Sequence, residues 1–512
     1  MADRTRKFLL GLGSSYLLTA TNLVYTLVSV PLALHFLPKD QFGLWALVTQ
    51  TALYLNLLDL GMQSSASRIF INFKDNKTNS EYGSLVKTSF LIFCIQSIVV
   101  AIFGFALLPH IPHWFGFSHE ISNYFLFLLG SQIALLALGF STRTFGCLLH
   151  AHQQYIWSNV GGAIGQLLGL ASLALSFHLG YGLFSFVTAS LVAFLSNNCV
   201  QVLGCLKLNL LPASGSWGSF QLTKMKILFD FAKDTFLMSL GWQLISATPI
   251  ILISKVIGLE AAATWSVGTK LFTLFQQIIW KILDNSAGGF AEMFVRSEYQ
   301  LLRVRFFEIT SLTAFLSPIF AGLLIVCNSP FVSLWTSGKI SWPILYNIPL
   351  ALLLVSYSVG RCYGSLPSIT MGIGFARYVY FLDGFLFCMA GFFILPSTDL
   401  VGLIILALVL DLVLPGFYGI LRTKRLFSLT GWEIFKVTWA RYGSSCIFTT
   451  SLTTLFLVSH CLACSWINLS VTTLLFISLL LFGFVFICKD SSVELLHNAL
   501  RGKYVSSSKN LH

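Results

Sequence analysis

Long apolar runs separated by short charged segments leave this chain few ways to fold. A helix that crosses the hydrocarbon of a bilayer needs about 20 apolar residues. Fourteen stretches meet that requirement: roughly 10–36, 42–68, 84–108, 123–147, 157–179, 181–206, 228–255, 262–290, 308–333, 344–372, 378–396, 400–421, 438–459 and 466–488. The expected fold is therefore an all-α polytopic membrane protein with about 14 transmembrane helices. Only 10% of the residues are charged and the mean hydropathy is +0.81. Soluble domains carry about a quarter charged residues, and a chain of 512 residues this poor in charge has too little polar surface to cover a globule.

The placement of the charges sets the orientation. With a cytoplasmic N-terminus and alternating spans, 25 of the 31 Lys and Arg residues fall on inside segments. The outside receives Lys39, Lys255 and Lys339, and Lys270, Lys281 and Arg361 fall within spans. Such an asymmetry is the positive-inside pattern and predicts both termini on the cytoplasmic side. It also accounts for the net charge of +12 without nucleic acid as a partner. Arg4, Arg6 and Lys7 precede an apolar run too long for a signal-peptide core, which reads as a retained first helix. Most of the 11 cysteines, such as Cys94, Cys199, Cys327, Cys388 and Cys488, lie inside apolar runs and read as small hydrophobes. Cys461 and Cys464 form a lone C-x-x-C with only His460 beside it, a poor metal set. The longest outer loop, 109–122, carries His110, His113, Trp114 and His119, a mixture that suits an interfacial anchor better than a metal site.

The layout suggests two similar lobes. Residues 1–207 form an N-lobe of six helices, 208–227 a cytoplasmic amphipathic linker, 228–425 a C-lobe of six, and 426–512 two further helices and a tail. The later part of the linker, Trp217 to Asp234, reads as a helix lying on the cytoplasmic face. An offset of 220 residues aligns Phe36–Leu47 with Val256–Val267, matching Asp40 to Glu260 and Trp45 to Trp265. Both segments turn from the first to the second helix of a six-helix block, so the repeat is parallel.

The turn Leu37-Pro38-Lys39-Asp40-Gln41-Phe42-Gly43-Leu44-Trp45 and the stretch Leu57-Leu58-Asp59-Leu60-Gly61-Met62 through Arg68 carry a family resemblance. They are similar to the first turn and second helix of Wzx-type polysaccharide and O-antigen flippases. That group is a branch of the multidrug/oligosaccharidyl-lipid/polysaccharide exporter superfamily. The motifs cover about the first seventy residues, and the helical layout extends the likeness over the whole chain. The second lobe departs most, with Gly258 and Ala263 in looser copies of the pattern. The resemblance implies two helical bundles around a cavity that opens alternately to either side of a bacterial inner membrane. It implies as substrate an oligosaccharide on undecaprenyl pyrophosphate, used in lipopolysaccharide or other cell-surface polysaccharide synthesis. A polysaccharide polymerase and a chain-length regulator are the partners it implies, besides membrane lipids.

A flippase for that substrate must give an anionic, hydroxyl-rich headgroup a wet and partly cationic route. Ionisable residues within spans cost roughly 2.5–3.5 kcal/mol each on insertion scales, so they face a cavity or a partner. Lys270, in the outer half of the eighth span, has no acid three or four residues away and reads as a cavity cation. Lys281 lies three helical turns on, near the same face. Asp284 follows it at i+3, so pairing within the helix and a ligand role are equally open to Lys281. Arg361, mid-span in Gly360-Arg361-Cys362-Tyr363-Gly364, offers bidentate phosphate recognition, or it pairs with an acid such as Asp411. Arg143 closes the fourth span, where it meets an incoming pyrophosphate or, more simply, snorkels to the cytoplasmic surface. Asp59 and Asp411 lie mid-span and Asp383 nearer the cytoplasmic end of its helix. Each can take a proton or pair with a cation, which leaves coupling to H⁺ or Na⁺ open; no cofactor is implied. Packing accounts equally well for Asp59.

A multidrug or metabolite exporter of the same superfamily is the alternative. Such proteins usually have twelve helices and acidic cavities, against fourteen spans and Lys270, Lys281 and Arg361 here. A glycosyltransferase, polymerase or ligase acting on the same carrier would need large external loops with acids or arginines, whereas the external acids are Asp40, Glu120, Glu260 and Asp399. A transporter is expected, not an enzyme. A purely structural scaffold gives no reason to keep unpaired charge inside a span.

Overall fold

The structure is a computed structural model that describes residues 2–73, 80–213, 215–370, 372, 374–436, 438, 449, 451–453 and 465–487. Most of the thirteenth expected span lies outside these residues. So do Lys74, Lys77, Arg441, Cys488, Lys489, Arg501, Lys503, Lys509 and the Cys461/Cys464 pair with His460. The side chains of Arg4, Arg6, Lys7, Arg68 and Lys233 are likewise outside the description. Regular structure among the described residues is entirely helical.

Nine helical stretches among the described residues are long and apolar enough to cross a membrane, and the chain is a multi-pass membrane protein. One of them, Ala376–Phe427, is interrupted at Asp399, whose backbone leaves the helical region (φ 56°, ψ −162°). Pro396 stands three residues earlier. This break is the tight turn expected between the eleventh and twelfth spans.

By contact the chain divides into two compact units whose borders differ from the sequence borders at 207 and 228. Unit 1 holds residues 1–267 and 373–406. Its helices are α1 (Ala2–Phe36), α2 (Lys39–Leu55), α3 (Met62–Phe73), α4 (Ser80–Leu107), α5 (Ile111–Phe115), α6 (His119–Ala151), α7 (Tyr155–His178), α8 (Ser185–Lys207), α9 (Leu222–Val256) and most of α10 (Leu259–Gly268). Unit 2 holds 268–372 and 407–512. It contains α11 (Lys270–Val295), α12 (Tyr299–Trp335), α13 (Asn347–Gly364), α14 (Leu366–Ile369), α16 (Phe417–Phe427), α17 (Gly431–Phe435) and α18 (Trp466–Ile487). Helix α15 (Ala376–Asp411) contributes its first thirty-odd residues to unit 1 and its last turn to unit 2.

Lipid tails are as apolar as leucine, so helices in a bilayer associate through close packing rather than hydrophobic burial. In unit 1 that packing is built on small residues. Gly161, Gly165 and Gly169 recur every four residues along α7 and form one stripe against α8. A Cβ on Gly165 would lie 2.7 Å from the Ala193 carbonyl oxygen, and one on Gly169 would lie 3.1 Å from that of Ala189. Gly43, at the start of α2, approaches the backbone of Leu259 so closely that a Cβ would stand 1.9 Å from its carbonyl oxygen. The two turns related by the 220-residue offset thus meet within one unit.

The linker departs from expectation. Residues 217–221 are not helical, and α9 begins only at Leu222 and runs unbroken to Val256. The non-helical stretch lies along α4, where the Ser219 and Gln221 amides donate to the hydroxyls of Ser84 (3.1 Å) and Thr88 (3.2 Å). Lys224 Nζ donates to the Glu81 carbonyl at 2.6 Å. Ser84 and Thr88 thus satisfy amides that lie outside a helix and have no intrahelical carbonyl to bond.

Candidate functional site

The second and eighth spans, expected as continuous helices over 42–68 and 262–290, are both broken. Each break sits beside the charged residues singled out above.

In unit 1 the helix stops at Leu55, passes through a 3₁₀ turn over Asn56–Asp59, and restarts at Met62. Leu60 (φ 51°) and Gly61 (φ 77°) carry the left-handed backbone between them. Glycine adopts that conformation freely, while leucine does so at a steric cost. The exposed backbone groups find side chains. Gln96 Nε2 on α4 donates to the carbonyls of Leu58 (3.1 Å) and Asp59 (3.0 Å). The Gln63 amide donates to Asp59 Oδ2 at 3.3 Å, so Asp59 caps the restarted helix. Arg143 on α6 closes the arrangement. Its Nη1 pairs with Asp59 Oδ1, its Nη2 donates to Asn56 Oδ1 at 3.0 Å, and its guanidinium lies 3.6 Å from the Phe140 ring centroid. The side chains of Arg143 and Asp59 are only 15% and 17% exposed. Arg143 therefore does not snorkel. It sits eight residues, roughly 12 Å of helical rise, before the end of α6 and reaches inward to an acid. A cavity of about 310 Å³ adjoins the break, lined by Tyr54, Leu58, Leu60, Phe103, Ile133 and Phe236 among others, and is almost wholly apolar.

In unit 2 the break at Thr269 directly precedes Lys270. A buried polar node holds it. Asn328 Nδ2 donates to the carbonyl of Gly268 (3.0 Å) and to Asn347 Oδ1 (2.9 Å), which also accepts from Trp342 Nε1 (2.8 Å). The Trp342 ring packs on Gly268 so tightly that a Cβ there would stand 1.8 Å from it. Helix α11 leaves this node with two contrasting faces. Phe272, Gln276, Ile279, Leu283 and Phe290 are buried on one. Lys270, Thr273, Gln277, Lys281 and Asp284 share the other at helical spacing, none of them buried. The 26-residue helix is long enough to span, yet it is not among the nine apolar spans.

Arg361 joins this polar face from α13. Its Nη2 is 2.7 Å from Asp284 Oδ1, and its guanidinium carbon lies 4.1 Å from the Trp280 ring centroid. The two pairings considered from the sequence, Lys281 with Asp284 and Arg361 with Asp411, are not the ones formed. Asp284 goes to Arg361, while buried Asp411 accepts from the Ser356 hydroxyl. Arg361 also lies in the last turn of α13 rather than mid-span, where the helix dipole favours a cation. Lys270 and Lys281 make no ion pair among the described residues. Asp383 is buried in the unit 1 part of α15. The structure thus brings together Asp59 with Arg143 in one unit, and Asp284 with Arg361 beside Lys281 in the other. Among the described residues no three His, Cys, Asp or Glu side chains are grouped to hold a metal ion. Trp114, in the histidine-bearing segment 109–122, is exposed, and its backbone carbonyl accepts from Lys255.

No family model matches the sequence, and neither does any curated protein. Solved structures do. An inward closed lipid II flippase MurJ superposes with a TM-score of 0.65 at 10% identity, covering 95% of this chain and 99% of the other. An inward-facing multidrug resistance MATE family transporter of the MOP superfamily gives 0.62 at 12% identity over 79% and 94%. A MOP superfamily transporter from Pyrococcus furiosus, described as having a binding pocket of reverse polarity, gives 0.57 at 14% over 82% and 96%. The chain shares the fold of these transporters.

Proposed function

We propose that the chain is a transporter that flips an undecaprenyl-pyrophosphate-linked oligosaccharide across the inner membrane by alternating access, for cell-surface polysaccharide synthesis. The observation that carries this reading is the polar face of α11. Lys270, Thr273, Gln277, Lys281 and Asp284 extend over fifteen residues, roughly 21 Å of helical rise, on a helix flanked by apolar spans. Charge at such depth needs water or a partner, so this face lines a wet passage rather than lipid. Lysine and arginine along it suit a pyrophosphate, the amide and hydroxyl suit sugars, and Trp280 adds an aromatic surface. The fold shared with a lipid II flippase and with MATE transporters supports transport as the activity. The polar face of α11, with three cations against Asp284, favours an anionic headgroup over a cationic drug.

Replacement of Lys270 and Arg361 together by Ala tests the reading in cells. Export of surface polysaccharide falls to the level of a strain lacking the protein, while the variant stays inserted and abundant. Full export by the double variant would remove these residues from the substrate's path.

A further inference from the structure

The two cross-helix ion pairs are built differently, and the difference carries an inference about Asp284. Arg143 uses both terminal nitrogens, on Asp59 and Asn56, and its pair is largely withdrawn from the surface. Arg361 engages Asp284 end-on through Nη2 alone. Its Nε is buried and has no hydrogen-bond partner among the described residues. The side chains of Arg361 and Asp284 remain 38% and 46% exposed. Trp280 lies against the guanidinium, and Nη2 alone of its nitrogens holds a partner among the described residues. Lys281, one turn before Asp284 on the same helix, makes no ion pair among the described residues.

We infer that Asp284 is a built-in stand-in for the substrate's anionic group, holding Arg361 when the site is empty and passing to Lys281 when a phosphoryl group takes the guanidinium. The inference rests on the flippase reading above. An arginine fork gains by exchanging a single end-on carboxylate contact for a bidentate phosphate contact. The displaced carboxylate keeps a cation within reach, so no bare charge is left in the membrane. The loaded and empty states then differ in which helix Asp284 is tied to, α13 or its own α11. A ligand shifts a conformational equilibrium only through such a difference in contacts.

Binding of undecaprenyl pyrophosphate to the full-length protein in detergent tests this, with undecaprenol as the neutral control. An exposed ion pair contributes about 0.2–1 kcal/mol, so removing the competitor by Asp284→Asn in a Lys281→Gln background, where the displaced carboxylate has no second partner, tightens the pyrophosphate carrier by roughly two- to fivefold. Undecaprenol binding does not change. Lys281→Gln, which removes the second partner, weakens the carrier by a similar factor while leaving Arg361 in place. In an Arg361→Gln background the Asp284→Asn effect disappears. Should the carrier bind the Lys281→Gln variant and the Lys281→Gln/Asp284→Asn variant equally, the stand-in role is wrong while the flippase reading survives. Should the wild type not distinguish the carrier from undecaprenol, the flippase reading itself fails. Each variant keeps the wild-type elution profile in detergent, which separates competition from misfolding.

Discussion

Arg143→Met lowers the stability of this protein by about 2–3 kcal/mol, and Arg361→Met by no more than about 1 kcal/mol. Both substitutions remove one arginine from one cross-helix ion pair, so the contrast comes from the surroundings. Without Arg143, Asp59 keeps a charge with 17% side-chain exposure at a helix break, and Asn56 loses its donor. Breaking a fully buried pair costs about 3–5 kcal/mol because the remaining charge has no compensation. The residual exposure of Asp59 and its cap on Gln63 place this case below that range. Asp284 is 46% exposed beside Arg361, and in the wet passage proposed above water solvates it once the arginine is gone, where pairs of this kind contribute about 0–1 kcal/mol. The assay is the thermal midpoint in detergent, read as surviving monodisperse protein after heating. Asp59→Asn added to Arg143→Met recovers much of the loss, since a neutral amide tolerates burial that a carboxylate does not. Equal losses for the two arginine variants, or no recovery in the Asp59→Asn double variant, would refute the assignment of one closed and one open pair.

Gly43→Ala and Gly165→Leu both put side-chain atoms onto neighbouring backbone, which cannot yield as a side chain can, and each sharply reduces the yield of folded protein. Gly289→Ala, where nothing lies within 4 Å of a new Cβ, leaves that yield unchanged. Gln96→Leu strips the carbonyls of Leu58 and Asp59 of their donor, at about 1–3 kcal/mol for each carbonyl left unsatisfied, and lowers the thermal midpoint accordingly. At the start of α17 the Thr430 backbone N–H (2.7 Å) and hydroxyl (2.8 Å) hold the Glu433 carboxyl below the usual glutamate range. A depressed carboxylate stabilises the fold above its unfolded value and stops doing so as pH falls through its folded value. Hydrogen exchange at the α17 amides therefore stays slow past the ordinary glutamate range and accelerates only below it, and Thr430→Ala moves that onset up.

The helical membrane architecture was legible in the sequence because lipid permits so little else: run length was enough. The turn at Asp399 was legible for the same reason. What the runs could not show was where a span breaks while staying apolar. The signal at Leu60-Gly61 was a glycine two residues after Asp59, and a bilayer helix tolerates glycine, so continuity was the natural reading. The partners of Asp59 and Asp284 were hidden because they lie 84 and 77 residues away, on other helices, whereas sequence spacing reveals only neighbours on the same one. Lys281 and Asp284 at i and i+3 looked like a pair for that reason, and the cross-helix arginine took the acid instead. Two signals were present and unread. Gly161, Gly165 and Gly169 at four-residue spacing announce a close helix contact. Thr273 and Gln277 continue the face of Lys270 and Lys281, which would have extended two isolated lysines into a stripe.

Transbilayer movement of an undecaprenyl-pyrophosphate-linked oligosaccharide in sealed vesicles containing only the purified protein is the most direct measurement. With glycan loaded on one leaflet and a membrane-impermeant lectin or periodate reading the other, the wild type exposes the headgroup well above the rate of protein-free vesicles. The Lys270→Ala/Arg361→Ala variant falls to that background. A wild type no faster than empty vesicles, or a double variant as fast as the wild type, would contradict the polar face of α11 as the headgroup's route.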